Sequence, residues 1–381
     1  MSRDPRVKTA RNSNIELLRI VSMILISLHH LCVHGPWAEL AGGALPHAAM
    51  DALSLGGKVG VNCFVLITGY FLCRSTFKSR SFLKTLFETI FYSLAILAIF
   101  SVALPTSITG QTTIKSFIPA SSGLYWFMTN YLALYLASPF INKLLNSLSA
   151  AAHARLAGIG LAVFCLIPTI STYNPLATNF VWFVYLYCVG AFVKKTWGDA
   201  DSRRTRMRIT LHTLSKKRNC ALIMLCCVAF IVAHACIVDW AKFNVEGFKG
   251  DPRYFMAQNS LPIFAIPLSL FCFFARIEMK PNSVVNYIAG STLGVYLIHD
   301  NPLVRKWLWP HFEWIFTRDI IVLIALSVFI AIAVFFTCIA IDIVRRRCIE
   351  KPFFSIIERV FGKQLDRVDV FMNRFDQSQE S

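Results

Sequence analysis

The sequence predicts an all-α integral membrane protein with about ten transmembrane helices and with both termini in the cytoplasm. Three observations support this fold class. Apolar residues make up 56% of the 381-residue chain and charged residues only 15%, whereas about 25% of the residues in soluble domains are charged. Apolar runs of about 20 residues, the length of a membrane-spanning helix, recur along the whole chain. Lysine and arginine concentrate in alternate connecting segments, as they do in cytoplasmic loops.

The apolar runs divide the chain into three parts. We expect a basic cytoplasmic N-terminus at residues 1–14, a transmembrane domain at 15–344 and a cytoplasmic tail at 345–381. Apolar residues in the tail recur at near-helical spacing, which predicts an amphipathic helix on the inner leaflet. The predicted spans are Ile15–Val33, Val59–Cys73, Phe82–Leu104, Tyr125–Leu145, Arg155–Ile170, Asn179–Val193, Cys220–Trp240, Ser260–Ile277, Val284–His299 and Asp319–Val344.

Loop charges set the predicted orientation. Basic residues cluster before the first span and after the second, sixth and tenth spans, whereas the alternate connections carry no basic excess. All four clusters fall on one side if ten helices cross, and that side is cytoplasmic by the positive-inside rule. The net charge of +17 therefore does not call for a nucleic-acid partner. The clusters contain Arg3, Arg6, Lys8 and Arg11; Arg74, Lys78 and Arg80; Lys194, Lys195, Arg203, Arg204, Arg206, Arg208, Lys216, Lys217 and Arg218; and Arg345, Arg346 and Arg347.

Tryptophan shows the opposite distribution. All the tryptophans except Trp197 map to the outer side in this topology. They fit an interfacial aromatic belt, and some of them alternatively line an outward site that stacks on sugar rings. The outer set is Trp37, Trp126, Trp182, Trp240, Trp307, Trp309 and Trp314.

Ionisable residues inside the first span mark the strongest candidate site. Arg19 and His30 are eleven residues apart, which places both side chains on one stripe of a helix, separated by about 16 Å along its axis. Glu16 lies one turn from Arg19 and can pair with it. Ionisable residues in a membrane helix cost about 2.5–3.5 kcal/mol or more, so they mark function by default. The alternatives are a snorkelling Arg19 and a His30 that only satisfies a core hydrogen bond.

Several segments together resemble the acyltransferase family 3 of integral membrane acyltransferases. The family has an acidic residue three positions before an arginine, then ten residues and a histidine, and Glu16, Arg19 and His30 match this pattern. The segment GGKVGVNCFVLITGYFLC is similar to a family run that ends in Ser-Gly-Tyr/Phe, here Thr68, Gly69 and Tyr70. The fourth span and the segment LGVYLIHDNP also resemble the family. Glu16 replaces the common aspartate and Thr68 the common serine.

The resemblance implies an O-acyltransferase of the bacterial cytoplasmic membrane that modifies a surface glycan. It would move an acyl group, most simply acetyl, from acyl-CoA to a hydroxyl of a surface polysaccharide or its lipid-linked precursor. His30 would be the base that activates this hydroxyl or would itself carry the acyl group. Arg19, with Arg74, Lys78 and Arg80, would bind the CoA phosphates, although the last three also fit lipid contact. No permanent cofactor is expected.

The outer half offers acceptor-binding candidates. Trp126 and Asn130 lie one turn apart near the outer mouth, and His299 lies near the outer end of the ninth span. His299 is either an interfacial cap or a second polar wall of the site. It forms no catalytic dyad with Asp300, since neighbouring side chains point apart on a helix. Tyr70 is a further candidate, although Thr68, Gly69 and Tyr70 also fit close helix packing.

A metal site, a transporter and a scaffold are the alternatives to this function. His34, His47 and Asp51 lack metal-ligand spacing, so no metal site is expected. A proton-coupled transporter that uses His30 and Glu16 is the main alternative function. Transporters of this size commonly contain internal repeats with broken helices, and no repeat is visible here. A non-enzymatic membrane scaffold of the same fold is the second alternative.

Overall fold

The computed structural model describes residues 12–35, 44–171, 179–198 and 212–374, and this part of the chain contains helices and no strands. The basic residues at 3–11, Trp37 and the basic residues at 203–208 lie outside the described residues. The helices in chain order are α1 Ser13–His34, α2 Ala44–Leu72, α3 Ser79–Ala103, α4 Gly110–Phe117, α5 Trp126–Ser147, α6 Ala150–Ile170, α7 Asn179–Gly198, α8 Lys217–Asn244, α9 Leu261–Ala275, α10 Ser283–Ala289, α11 Thr292–His299, α12 Pro302–Leu308, α13 Ile320–Arg345 and α14 Lys351–Asn373.

The apolar helices confirm a multi-pass membrane protein. Among the described residues, six helices are long and apolar enough to cross a membrane: α1, α2, α3, α6, α8 and the continuous segment Ile320–Asn373. The spans predicted from the sequence fall on helices throughout. Of the helices on the other predicted spans, α5 has 22 residues and α7 has 20. Helix α9 is a shorter apolar helix of 15 residues.

The ninth predicted span is broken. Val284–His299 was expected to form one helix, but it forms the short helices α10 and α11, which meet at Gly290 and Ser291. Gly290 packs against the guanidinium of Arg346, which lies 3.1 Å from the position of a glycine Cβ, and Arg346 donates to Ser291 Oγ at 2.9 Å. Arg346 also donates to the carbonyl oxygen of Tyr287 at 3.3 Å, which a continuous helix would have paired with the N–H of Ser291. The break redirects α11 toward the middle of the bundle.

Helix α2 lies at the centre of the bundle and packs on α1, α7, α8 and α9. Glycines allow the closest approach, between α2 and α7. A Cβ on Gly69 would lie 2.2 Å from the carbonyl oxygen of Tyr187, and a Cβ on Gly190 would lie 2.3 Å from that of Leu66. The prediction that Gly69 permits close helix packing is thus confirmed, and such small-residue contacts are a main source of cohesion between membrane helices.

The tail forms the predicted helix, but it is joined directly to the last span. A π-helical turn, Arg346–Glu350, connects α13 to α14 without a break. Helix α14 then packs against α3, where Phe353 stacks on Phe87 at 4.4 Å between ring centroids. Part of its apolar face is therefore used for contact with the protein.

Replacing Gly69 by alanine should lower the stability of the fold. The added methyl group would meet backbone atoms of α7 that cannot move aside, so we expect a clear fall in the melting temperature and in membrane abundance. Gly158→Ala is the matched control, because nothing lies within 4 Å of the position of its Cβ. Equal melting temperatures for the two variants, measured in detergent, would show that α2 and α7 are not held this closely.

Candidate active site

A contact between two histidines joins helices that are far apart in the sequence. His30 Nδ1 on α1 lies 2.8 Å from His299 Nε2 at the end of α11. His30 is 8% exposed and His299 is fully buried. The second ring nitrogen of His299, Nδ1, lies 2.6 Å from the carbonyl oxygen of Val295 in its own helix. Sequence analysis named both histidines, and the structure places them in direct contact.

The chain of contacts fixes which nitrogen of His30 carries the proton. A carbonyl oxygen can only accept, so His299 Nδ1 must donate to Val295. The Nε2 atom of a neutral His299 is then an acceptor, and His30 Nδ1 must donate to it. Neutral His30 therefore has its lone pair on Nε2. This is the nitrogen that a general base or a nucleophile would use.

Asp300 faces the free nitrogen of His30. Its Oδ1 atom lies 3.5 Å from His30 Nε2 and 3.2 Å from the guanidinium of Arg305. Asp300 is 3% exposed, so the pair with Arg305 provides the compensation that a buried carboxylate needs. A proton gained at His30 Nε2 would bring a positive charge next to this carboxylate and would be stabilised there.

The same cluster contains donor atoms of the kind that metals bind. His30, His34 and Asp300 bring ligand atoms within 4.8 Å of one another. The guanidinium of Arg305, however, lies 3.3 Å from His34 Nε2 and 3.2 Å from Asp300 Oδ1. It supplies positive charge where a metal ion would have to lie, so the arrangement favours a hydrogen-bonded ion pair over a metal centre.

A cavity of about 360 Å³ runs along the α1 stripe that contains Arg19. Glu16 and Arg19 line one end, and their side chains pair at 3.8 Å between Arg19 Nε and Glu16 Oε2. Met23 and Ile26 continue the wall toward His30, and Tyr296 lines the other end. The side chain of Tyr296 lies close to Asp300. Arg19 Nε is buried and has no hydrogen-bond partner in the described part of the chain.

The other acceptor-site candidates from the sequence are Tyr70, Trp126 and Asn130. Tyr70 packs its ring edge-on against Trp197 and Phe271, with Lys194 Nζ 4.5 Å from its ring centroid. Asn130 uses its amide within α5, donating to the carbonyl oxygen of Trp126 at 2.6 Å. The acceptor roles of Trp126, Asn130 and Tyr70 stay predictions.

The basic residues after α2 meet the tail helix. Arg80 pairs with Glu358 Oε1 at 2.7 Å and with Asp366 Oδ1 at 2.9 Å. Arg74 and Lys78 line two other pockets, of about 320 and 640 Å³, beside the end of α14. None of the three lines the cavity that contains Arg19. Donor binding by Arg74, Lys78 and Arg80 stays a prediction, and in this structure carboxylates already satisfy the guanidinium of Arg80.

Sequence reasoning missed the partners of His30. Asp300 was set aside because it cannot pair with its neighbour His299, yet both residues converge on the ring of a third residue. The chain turns directly after α11, at Asn301 and Pro302, so residues 299 and 300 are not held on opposite faces of a continuing helix. The available signal was the proline that follows this His-Asp pair.

A buried cluster of Arg345 and three carboxylates borders the same cavity, and Glu88 of this cluster lines it. Arg345 lies 3.1 Å from Glu88, 2.8 Å from Asp342 and 2.8 Å from Glu350. Its side chain is only 2% exposed. The cluster ties α3 to α13 at the end of the cavity nearest to Arg19, and removing the arginine would leave buried carboxylates unpaired.

Comparison with known families gives the class of the protein. The model of an acyltransferase domain matches residues 12–344, which include α1 to α13 and both histidines of the site. The chain belongs to acyltransferase family 3. It is therefore a membrane acyltransferase. No curated protein and no solved structure gives a significant match to the chain.

Replacing His299 by phenylalanine should slow acyl transfer by about 10²-fold or more, because the His30 ring would lose the acceptor that selects its tautomer. Donor KM should change little, since His299 does not line the cavity that contains Arg19. The rate is measured with the purified variant and acyl-CoA, with His311→Phe on an exposed ring as the control. A His299→Phe enzyme with the rate of the control would show that this contact does not orient the base.

Proposed function

We propose that this protein is an O-acyltransferase that moves an acetyl group from acetyl-CoA to a hydroxyl of a cell-surface polysaccharide or its lipid-linked precursor. One observation carries the proposal. The cavity that begins at Arg19 leads along α1 to Tyr296, beside the centre where His30 presents an unprotonated Nε2. A cation at one end and a base beyond the other match a donor with an anionic head and a reactive thioester end.

The proposed setting is the bacterial cytoplasmic membrane. Ten crossings with both termini inside place Glu16 and Arg19 on the cytoplasmic side, where acyl-CoA is made. The same topology places the end of α11 and the start of α2 toward the outside. The division into an N-terminal segment at 1–14, a membrane domain at 15–344 and a cytoplasmic tail at 345–381 is part of this proposal.

In the direct route, His30 Nε2 takes the proton of the acceptor hydroxyl while its oxygen attacks the thioester carbonyl. The C–S bond breaks, and the CoA thiolate takes that proton from the imidazolium. Asp300 stabilises the imidazolium while it lasts, and His299 holds the ring in register. In the covalent route, Nε2 itself attacks the carbonyl and CoA leaves as the thiolate. The acceptor oxygen then attacks the acyl carbon, the C–N bond breaks, and the hydroxyl proton passes to the freed Nε2 and from there to the CoA thiolate. Both routes use the same nitrogen.

The transporter alternative is weakened by the family assignment. A proton-coupled transporter has no use for a CoA-binding cavity, so binding of acetyl-CoA to the purified protein separates the two functions. A scaffold without activity predicts that replacement of either Arg19 or His30 is tolerated.

His30→Ala should abolish transfer of label from radioactive acetyl-CoA to the surface glycan of the host, because Nε2 of His34, the other imidazole nitrogen beside Asp300 in the described cluster, already accepts from Arg305. Purified protein in detergent is assayed with isolated glycan, and His311→Ala is the control at equal purity. Label that reaches the glycan equally in both variants would place catalysis on another residue. An absence of CoA turnover by the folded wild type would contradict the proposed function.

Arg19→Gln should raise KM for acetyl-CoA by about tenfold while kcat falls less, because one charge-assisted contact to the donor is lost at a distance from the reacting carbonyl. Arg155→Gln, at an exposed position of α6, is the matched control. Steady-state kinetics over a range of donor concentrations gives both constants. Unchanged donor KM with an altered melting temperature would make Arg19 a structural residue.

A further inference from the structure

A second cavity lies further along α1, beside His29 and Val33. It has a volume of about 640 Å³ and is formed by α1, the first half of α2, the end of α6 and the loop before α9. His29, Lys58 and Arg253 are among the residues that line it. None of its lining residues belongs to the cavity that contains Arg19. In the proposed topology it opens toward the outside.

The two cations at this cavity differ in their partners, although Asp51 and Asp251 match Lys58 and Arg253 in number. Arg253 is neutralised by Asp51, which it contacts through Nε at 2.6 Å. Asp251 accepts from the backbone N–H of Arg253 at 2.9 Å. Lys58 is different, since no carboxylate of the described residues lies within 4.0 Å of its Nζ. Its ammonium instead lies over the ring of Trp126, 5.8 Å from the ring centroid.

A lysine in this position needs an anion. Lys58 is partly buried within a membrane-spanning helix, where an unpaired ammonium is costly and marks a site for an ion or a substrate. The Trp126 ring compensates for part of this cost through a cation–π contact. A carboxylate or phosphate that enters the cavity would pair with the Lys58 ammonium and form a charge-assisted hydrogen bond with it.

The cavity also lies next to the proposed reaction centre. His29 forms part of its wall, and the His29 and His30 ring centroids are 5.5 Å apart. Gly57 keeps α2 in contact with the His29 ring, since a Cβ there would lie 2.2 Å from the ring carbon Cγ. A group bound at Lys58 would therefore lie in the same cavity as His29, the sequence neighbour of His30.

We infer that this cavity is a subsite for an anionic group of the acyl acceptor, a carboxylate or a phosphate, and that Lys58 is the cation that binds it. The inference rests on the proposed function and adds the charge class of the acceptor. Two sources supply such a group: an acidic sugar in the glycan, or the phosphates that link a glycan to its lipid carrier. Trp126 would pack beside the bound group, in agreement with its predicted place at the acceptor mouth.

The test measures binding without acyl transfer. Full-length protein in detergent is titrated by calorimetry with glucuronate, glucose 1-phosphate, geranyl pyrophosphate and neutral glucose. The variants are Lys58→Met, which keeps the length of the side chain but not its charge, and Lys58→Arg, which keeps the charge. Lys249→Met removes an exposed lysine from the loop that leads to the cavity and serves as the matched control.

We expect at least one anionic probe to bind the wild type and Lys249→Met at least about tenfold more tightly than glucose does. Lys58→Met should lose this preference, and Lys58→Arg should keep most of it. Glucuronate as the preferred probe indicates an acidic sugar, and geranyl pyrophosphate indicates the lipid carrier. The inference is overturned if no anionic probe binds the wild type better than glucose, or if Lys58→Met binds as the wild type does.

Two controls keep the result interpretable. Binding of acetyl-CoA by each variant shows that it is folded, and Lys58→Gln replaces Lys58→Met if the latter does not fold. Acetyl transfer by the wild type is measured separately. Transfer without any preference for anions would refute the subsite alone, whereas anion binding without CoA turnover would refute the proposed function.

Discussion

The hydrogen bond between the rings of His30 and His299 is the contact on which the site depends. It connects α1 with α11, and both residues are buried. A lone imidazole could rotate or exchange its proton between nitrogens. Here one backbone carbonyl, that of Val295, determines the state of both rings in turn. The break between α10 and α11 matters for the same reason, because it determines where α11 ends and therefore where His299 lies.

The arginine-centred cluster performs a comparable task at the opposite end of the cavity. Arg345 is enclosed by three carboxylates, and Tyr92 donates to Asp342 at 2.8 Å. Such a network is costly to bury and gives little net stability, but breaking it by removal of one partner is strongly destabilising. Asp342 also packs against Gly294 on α11. The cluster and the histidine pair thus hold α11 from two directions.

Helix positions and the Arg19–His30 stripe could be predicted from the sequence because each depends on local periodicity. A run of apolar residues, or a spacing of eleven, keeps its meaning wherever the helix packs. The partners of these residues could not be predicted, since Asp300 reaches His30 from a segment 270 positions further along the chain. Arg80 was assigned to phosphate from the family resemblance, and its carboxylate partners come from a helix that begins at residue 351. Lys58 drew no attention in the sequence, because an unpaired charge can be recognised only when its surroundings are known.

The direct join between α13 and α14 has a consequence for the biosynthesis of the protein. The loop between α2 and α3 depends on α14 for its backbone partners, since Phe77 N–H donates to Asn373 and Ser79 N–H donates to Asp369. Translation proceeds from the N-terminus, so these partners leave the ribosome 290 or more residues after the loop. The loop between α2 and α3 therefore cannot form these hydrogen bonds until the end of α14 has been made. A nascent chain that stops at the end of α13 would lack the segment that pairs with the loop between α2 and α3.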